Sequence, residues 1–173
     1  LTQVIAYDEP VTSMKVNFSG SGDEAHAELS VQLPAGSLES KVSVRPKDKT
    51  YTAQLTSAGI HLDRLQALKS KNIDAIGTVA LNANGHGTFD NPQLDATLQI
   101  PSLLIQKQTV TGINLQLNIA NHIANAILAS SALHTSIQAK ARVDLTGDYN
   151  TEASLDTQGI PLQPLLAAYA PEQ

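Results

Sequence analysis

The residues best suited to chemistry in this 173-residue chain are five histidines, His26, His61, His86, His122 and His134, and a scatter of carboxylates. A helical metal site needs two histidines at i and i+4 with a carboxylate close by, and no pair here has that spacing. His26 alternates with apolar residues, which puts it on the wet side of a strand, and His86 lies between glycines in what reads as a turn. Gly85-His86-Gly87-Thr88 has the outline of an oxyanion-hole loop, but no Gly-x-Ser-x-Gly nucleophile elbow accompanies it. Gly20-Ser21-Gly22 lacks the downstream lysine of a phosphate loop. Asp63, Asp74, Asp90, Asp95, Asp144, Asp148 and Asp156 fall mostly at turns or strand ends, without the alternating acids of a calcium loop. Asn17-Phe18-Ser19 fits a glycosylation sequon but sits inside a strand pattern. There is no cysteine, so thiolate ligands and disulfides are excluded. The expectation is therefore no catalytic residue, no metal, no cofactor and no enzyme.

What remains is the apolar surface. Hydrophobic residues make up 42% of the chain but aromatics only 3%, so that surface is almost all Leu, Ile, Val and Ala, chemically uniform and suited to alkyl chains. The net charge of −5, with no basic stripe and no stacking aromatics, argues against nucleic acid. No run approaches the roughly 18 apolar residues of a membrane-spanning helix. The start, Leu1-Thr2-Gln3-Val4, carries neither an initiator Met nor a basic leader, and the chain reads as a mature or excised piece.

The elements that position these side chains announce themselves by period-two alternation, the pattern of strands with one wet and one dry face. Ile113-Asn-Leu115-Gln-Leu117-Asn-Ile119 is the clearest run; Ala25 to Leu33 and Ile137 to Leu145 repeat it, and Met14 to Phe18, Val42 to Val44, Val79 to Leu81 and Ala96 to Ile100 are shorter versions. The dry set expected to line a common surface is Phe18, Leu29, Val31, Leu33, Val42, Val44, Leu55, Val79, Leu81, Leu98, Ile100, Ile113, Leu115, Leu117, Ile119, Val143, Leu145 and Leu155. Breaks come at Gly20-Ser-Gly-Asp23, Pro34-Ala-Gly36, Pro46-Lys-Asp48, Asn84-Gly-His-Gly87, Asp90-Asn-Pro92 and Thr146-Gly-Asp148. Ile119 to Leu133 fits a helix through Ile119, Ile123 and Ile127, and a strand through Ala124, Ala126 and Leu128; strand is favoured.

An internal echo organises the whole. Leu55-Thr-Ser-Ala-Gly-Ile-His-Leu-Asp-Arg-Leu-Gln-Ala-Leu68 returns as Leu155-Asp-Thr-Gln-Gly-Ile-Pro-Leu-Gln-Pro-Leu-Leu-Ala-Ala168. Each copy reads as a strand, a Gly-Ile-x-Leu turn and a short helix, the first helix carrying Leu62, Leu65 and Leu68. Tyr51 and Tyr149 precede the two leucines by even gaps, which predicts that each tyrosine shares its leucine's strand face. The expected organisation is strands of a first repeat over 1–50, its turn and helix over 51–75, and a second repeat over 76–173, in one continuous unit. Repeats of this kind cannot bury their apolar faces alone and stack on their neighbours.

The order of three phrases, Gly85-x-Gly-Thr-Phe-Asp-Asn-Pro-Gln-Leu94, Gln108-Thr-Val-Thr-Gly-Ile-Asn-Leu115 and Leu155 to Tyr169, resembles the TamB/AsmA-like envelope proteins of diderm bacteria, most closely over residues 50 to 173. The resemblance implies a mainly β chain: a long curled antiparallel-type sheet, a β-gutter or β-taco with an aliphatic concave interior and one or two short helices. It implies a segment of a longer, inner-membrane-anchored, periplasm-spanning parent that guides phospholipid acyl chains between the membranes and takes part in outer-membrane biogenesis. It also implies an outer-membrane barrel protein as a possible partner, as in autotransporter assembly. The family has no catalytic residues to carry over. Two other readings of the residues stay open: a closed β-sandwich core or structural repeat module, and a scaffold offering open sheet edges to other strands.

Overall fold

The computed structural model describes residues 5–6, 9–105, 108–132 and 135–157. Its dominant element is one ten-stranded antiparallel sheet, open at both sides, in which every strand lies beside its sequence neighbours. The strands are β3 (Ser13–Ser21), β4 (Glu24–Leu33), β5 (Gly36–Arg45), β6 (Thr50–His61), β7 (Ala75–Thr88), β8 (Pro92–Ile105), β9 (Gln108–Ala120), β10 (Ile123–Ala132), β11 (Thr135–Asp144) and β12 (Thr151–Thr157). A two-stranded ribbon of β1 (Ile5–Ala6) and β2 (Glu9–Pro10) precedes them. The chain is thus mainly β, as alternation and turn spacing predict, and its one sheet does not close, consistent with the curled sheet that the resemblance implies.

The turns mostly fall where glycine, proline and asparagine ask for them. Gly22 adopts φ +60° at the β3–β4 tip, and Asn121 and His122 take φ +51° and +62° in a two-residue hairpin turn. That turn resolves Ile119 to Ala132 as the end of β9, a turn and β10; Leu133 lies outside the described residues. Asn84-Gly-His-Gly87, by contrast, is not a tip: it lies within β7, and the chain reverses at Phe89 to Asn91. There Thr88 Oγ1 accepts from Asn91 N–H at 3.0 Å.

The Gly59-Ile60 step is not a turn either. It lies inside β6, where register shifts by one between Ser57 and Ile60 against β7. Similar shifts fall between Gly36 and Glu39 of β5, Gly77 and Ala80 of β7, and Ala129 and Ser131 of β10. Between β8 and β9 the pairs Ile100–Ile113 and Ser102–Thr111 leave Pro101 opposite Gly112, which takes φ +62°. These irregularities lie side by side and form a crease across the middle strands. A proline in a central strand is tolerated only where the ladder is already interrupted. Bulges bend a strand and deepen its twist, so an aligned row of them curls the sheet.

The segment 51–75 accordingly holds most of β6 as well as helix. The expected two-turn helix is a 3-10 turn, Leu62–Arg64, and a single α turn, α1 (Gln66–Lys69), separated by Leu65 at ψ 121°. Glu9 ties this corner down: its Oε1 accepts from Ala67 N–H of α1 at 2.7 Å, across 58 positions of sequence. The second copy of the motif beyond Thr157, with its expected helix, lies outside the described residues.

Candidate functional site: an uncovered aliphatic face

Residues opposite each other in a ladder share a face, so strand register settles which side chains stand together. One row crosses all ten strands: Val16, Leu29, Ser40, Leu55, Ala83, Ala96, Leu117, Ala126, Ala141 and Ala153. Beside it runs Phe18, Ala27, Val42, Ala53, Gly85, Leu94, Ile119, Ala124, Val143 and Thr151. On its other flank stand Leu81, Leu98, Leu115, Leu128, Ala139 and Leu155. From β7 to β12 the first row is mostly alanine, with Leu117 the exception, and it is flanked on one side by leucines.

Seventeen of the eighteen expected dry residues lie in strands on this face; Leu145 lies just past the end of β11, with its N–H donating to His122 O at 2.7 Å. Their surroundings are not uniform. In the inner strands the aliphatic positions are half-buried while the polar positions between them are mostly exposed. Short alanines stand between taller leucines on that side, so aliphatic side chains of neighbouring strands shade one another. At the outer strands enclosure is lost: Phe18 is 80% exposed and Leu155 68%.

Among the described residues nothing covers the face from above. Among the described residues the only buried hydrophobic side chains are Ala35 and Ala75, at one rim, and no large side chain is fully buried. A β-sandwich core is therefore not what these residues build, because one sheet of ten strands has no partner sheet. Soluble monomers rarely leave contiguous apolar patches above a few hundred Å² uncovered, and larger ones mark interaction sites.

The two rims differ. At the crease side Glu9, Ala35, Ser57, Ala75 and Thr135 are buried, and Ser57 Oγ donates to Ser37 O at 2.7 Å. At the other, Tyr51 stacks on Phe89 with ring centroids 6.0 Å apart and planes 1° from parallel. Tyr51 lies over Gly85, where an added Cβ would stand 3.3 Å from Tyr51 Cε2. Gly87 takes φ +119°, and a Cβ there would reach Asn91 O at 2.7 Å. The glycines that read as a turn make room for a ring and for the following reversal. Tyr51 and Leu55 do share a face, as their even spacing predicts. Tyr149 does not share Leu155's strand: it sits in the β11–β12 loop at φ +54°, before β12 begins.

The opposite face is polar across its full width, one row reading Asn17, Glu28, Lys41, Gln54, Asn84, Asp95, Asn118, Asn125, Arg142 and Glu152. Lys41 pairs with Glu28 at 3.4 Å, and Asn118 Nδ2 donates to Asp95 Oδ1 at 2.8 Å. An open hollow of about 690 Å³ lies on this side among Asn17, His26, Glu28, Lys41, Gln54 and Asn84. Twisted sheets are saddle-shaped and hollow along one diagonal of each face, which accounts for it. Ile127 interrupts the polarity and is 44% exposed; it and Ile123 are residues whose spacing also fits a helix in the sequence. His26 and His86 both lie on this polar side, His86 within β7 rather than in a turn. His26 Nε2 is 3.8 Å from Glu24, and His61 Nδ1 is 3.4 Å from Thr78 Oγ1. His122 is in a turn, and His134 lies outside the described residues. Among the described residues no three His, Asp or Glu side chains gather as metal ligands, and no helix is long and apolar enough to cross a membrane.

No protein-family model matches the chain, and comparisons with curated proteins and with solved structures return no match either.

Proposed function

We propose that the aliphatic face shelters phospholipid acyl chains and lets them pass across the strands, as one segment of a TamB/AsmA-like, periplasm-spanning parent. In this reading the parent serves outer-membrane biogenesis and the chain catalyses nothing. The observation that carries it is the continuous dry face, with no second layer above it among the described residues. Ten strands at about 4.8 Å spacing make a trough roughly 48 Å long. Each methylene removed from water contributes about 0.8 kcal/mol, so a sixteen-carbon chain gains about 13 kcal/mol, close to what leaving a bilayer costs it. A near-neutral exchange suits passage better than tight capture. A lining mostly of Leu, Ile, Val and Ala, broken at Ser40, Ser57 and Thr151, offers few polar points at which a chain would stall.

The experiment is photocrosslinking in cells from a benzophenone side chain at Leu115, compared with Gln116. The two neighbours point to opposite faces. Phospholipid adducts are expected from Leu115 and not from Gln116. Absence of lipid at Leu115, or equal labelling at both positions, overturns the reading.

A further inference from the structure

The polar face of the sheet is not charged evenly. Five consecutive strands, β6 to β10, carry a single Asp, Glu, Lys or Arg between them, Asp95. The flanking strands differ: β4 and β5 present Glu24, Glu28, Glu39, Lys41 and Arg45, and β11 presents Lys140 and Arg142. A wet protein surface ordinarily mixes lysine, arginine and carboxylates throughout. In the middle strands amides and hydroxyls take their place. Gln54, Asn84, Asp95 and Asn118 form one row, and Thr56, Asn82, Thr97 and Gln116 form the next; all of them are exposed. Asparagine is among the poorer strand formers, and on an open face no packing offsets that preference. Local misfits of this kind gather at functional surfaces.

Bonds within the patch orient its side chains. Asn84 Nδ2 donates to Asn82 Oδ1 at 2.8 Å, and Asn118 Nδ2 donates to Asp95 Oδ1 at 2.8 Å. Each amide keeps further donor and acceptor capacity for a ligand. An open hollow of about 500 Å³ takes in Thr56, Asn82, Thr97 and Gln99. At the far end of the same row Ile127 stands directly opposite Gln116 and is 44% exposed. The hydrogen-bonding floor thus ends on an aliphatic one.

A ligand for this surface has to be uncharged, rich in groups that both donate and accept, and apolar on one side. Nucleic acids and acidic polymers need cations, which the middle strands lack. A peptide strand needs a sheet edge or apolar pockets for alternate side chains. A sugar ring meets all three requirements, with hydroxyls around its rim and C–H groups on its faces. We propose that the polar face of β6–β10 binds an uncharged glycan strand laid across the β-strands, its hydroxyls on the amide and threonine rows and the C–H face of one ring on Ile127. Neighbouring strands repeat at about 4.8 Å, so an extended polymer meets a fresh polar side chain at each step. Single contacts of this kind are weak, because each replaces a hydrogen bond to water, and a polymer sums them. The patch lies on the side of the sheet turned away from the aliphatic face, so glycan binding stands whether or not that face carries lipid.

The test is an NMR titration of the chain with chitohexaose, an uncharged glycan bearing hydroxyls and amides, beside a hexamer of galacturonic acid. Chitohexaose is expected to shift the side-chain amide signals of Asn84, Gln116 and Asn118 and to leave that of Gln138, in β11, unmoved. The acidic hexamer is expected to shift none of them. Asn84→Ala with Gln116→Ala should weaken chitohexaose binding by roughly tenfold, the loss expected from two hydrogen bonds. Ile127→Ser should weaken it as well, by removing the aliphatic platform. These side chains are exposed, so both variants are expected to fold, and their backbone spectra check it. No shift at the patch, the same shifts with the acidic hexamer, or undiminished binding by either folded variant overturns the proposal.

Discussion

Two residues show how locally this sheet is tuned. Gly85 keeps space for the Tyr51 ring, so a larger side chain must push the ring off its stack with Phe89. Gly85→Val is expected to cost about 1–3 kcal/mol in denaturant unfolding, as overpacking does, with Gly85→Ala milder. Equal stability of Gly85→Val and the parent chain would show that the ring is not held there. Asp144 closes the β11–β12 loop. Its Oδ1 accepts from the Thr146 hydroxyl at 2.6 Å and the Thr146 N–H at 2.9 Å. Those bonds, the hydroxyl first, hold its pKa below the ordinary 3.8. A carboxylate whose folded pKa is depressed contributes stability that is complete above its unfolded value and is lost as pH falls through the lower, folded one. Asp144→Asn should therefore be less stable than the parent chain at neutral pH, and the gap should close in strong acid. A gap independent of pH would contradict this role.

At the level of elements, the small-residue row between taller neighbours is the feature most open to test. Filling it with Ala126→Leu and Ala141→Leu puts bulk on an uncovered face, where there is no opposing layer to clash with. Folding is expected to survive while lipid recovered with the protein falls; undiminished lipid would count against passage along that row. Leu117→Asp puts a charge in the same row and is expected to block lipid transport in cells while expression holds. The strands themselves were legible because alternation holds from Ala25 to Leu33, Ile113 to Ile119 and Ile137 to Val143. β10 was ambiguous for a physical reason: Ile123 and Ile127 stand on its polar face, so both its sides look dry. Gly59 and Gly85 misled because glycine signals both chain reversal and close packing, and only the partner strand reveals which. The crease left one faint sign, Pro101 inside an otherwise good strand.

For the whole molecule, the decisive property is that among the described residues the main contacts of each strand are with its neighbours, apart from the corner where the 3-10 turn meets β7 and α1 meets β2. Structures of this kind hold together by nearest-neighbour terms rather than by a central core. Hydrogen exchange should be slowest in β7, β8 and β9, the longest strands, and fastest in β3 and β12, whose residues are almost all exposed. Uniform protection across the ten strands would mean that something covers the sheet. The same nearest-neighbour wiring has a consequence for inheritance. A duplicated hairpin can be spliced in without disturbing any existing contact, and it lengthens the structure by about 10 Å. A single duplicated strand would instead reverse everything downstream of it. Length in such a molecule can be set by counting hairpins, as a tape measure is set by its divisions, so lineages facing gaps of different width could match them by copying alone.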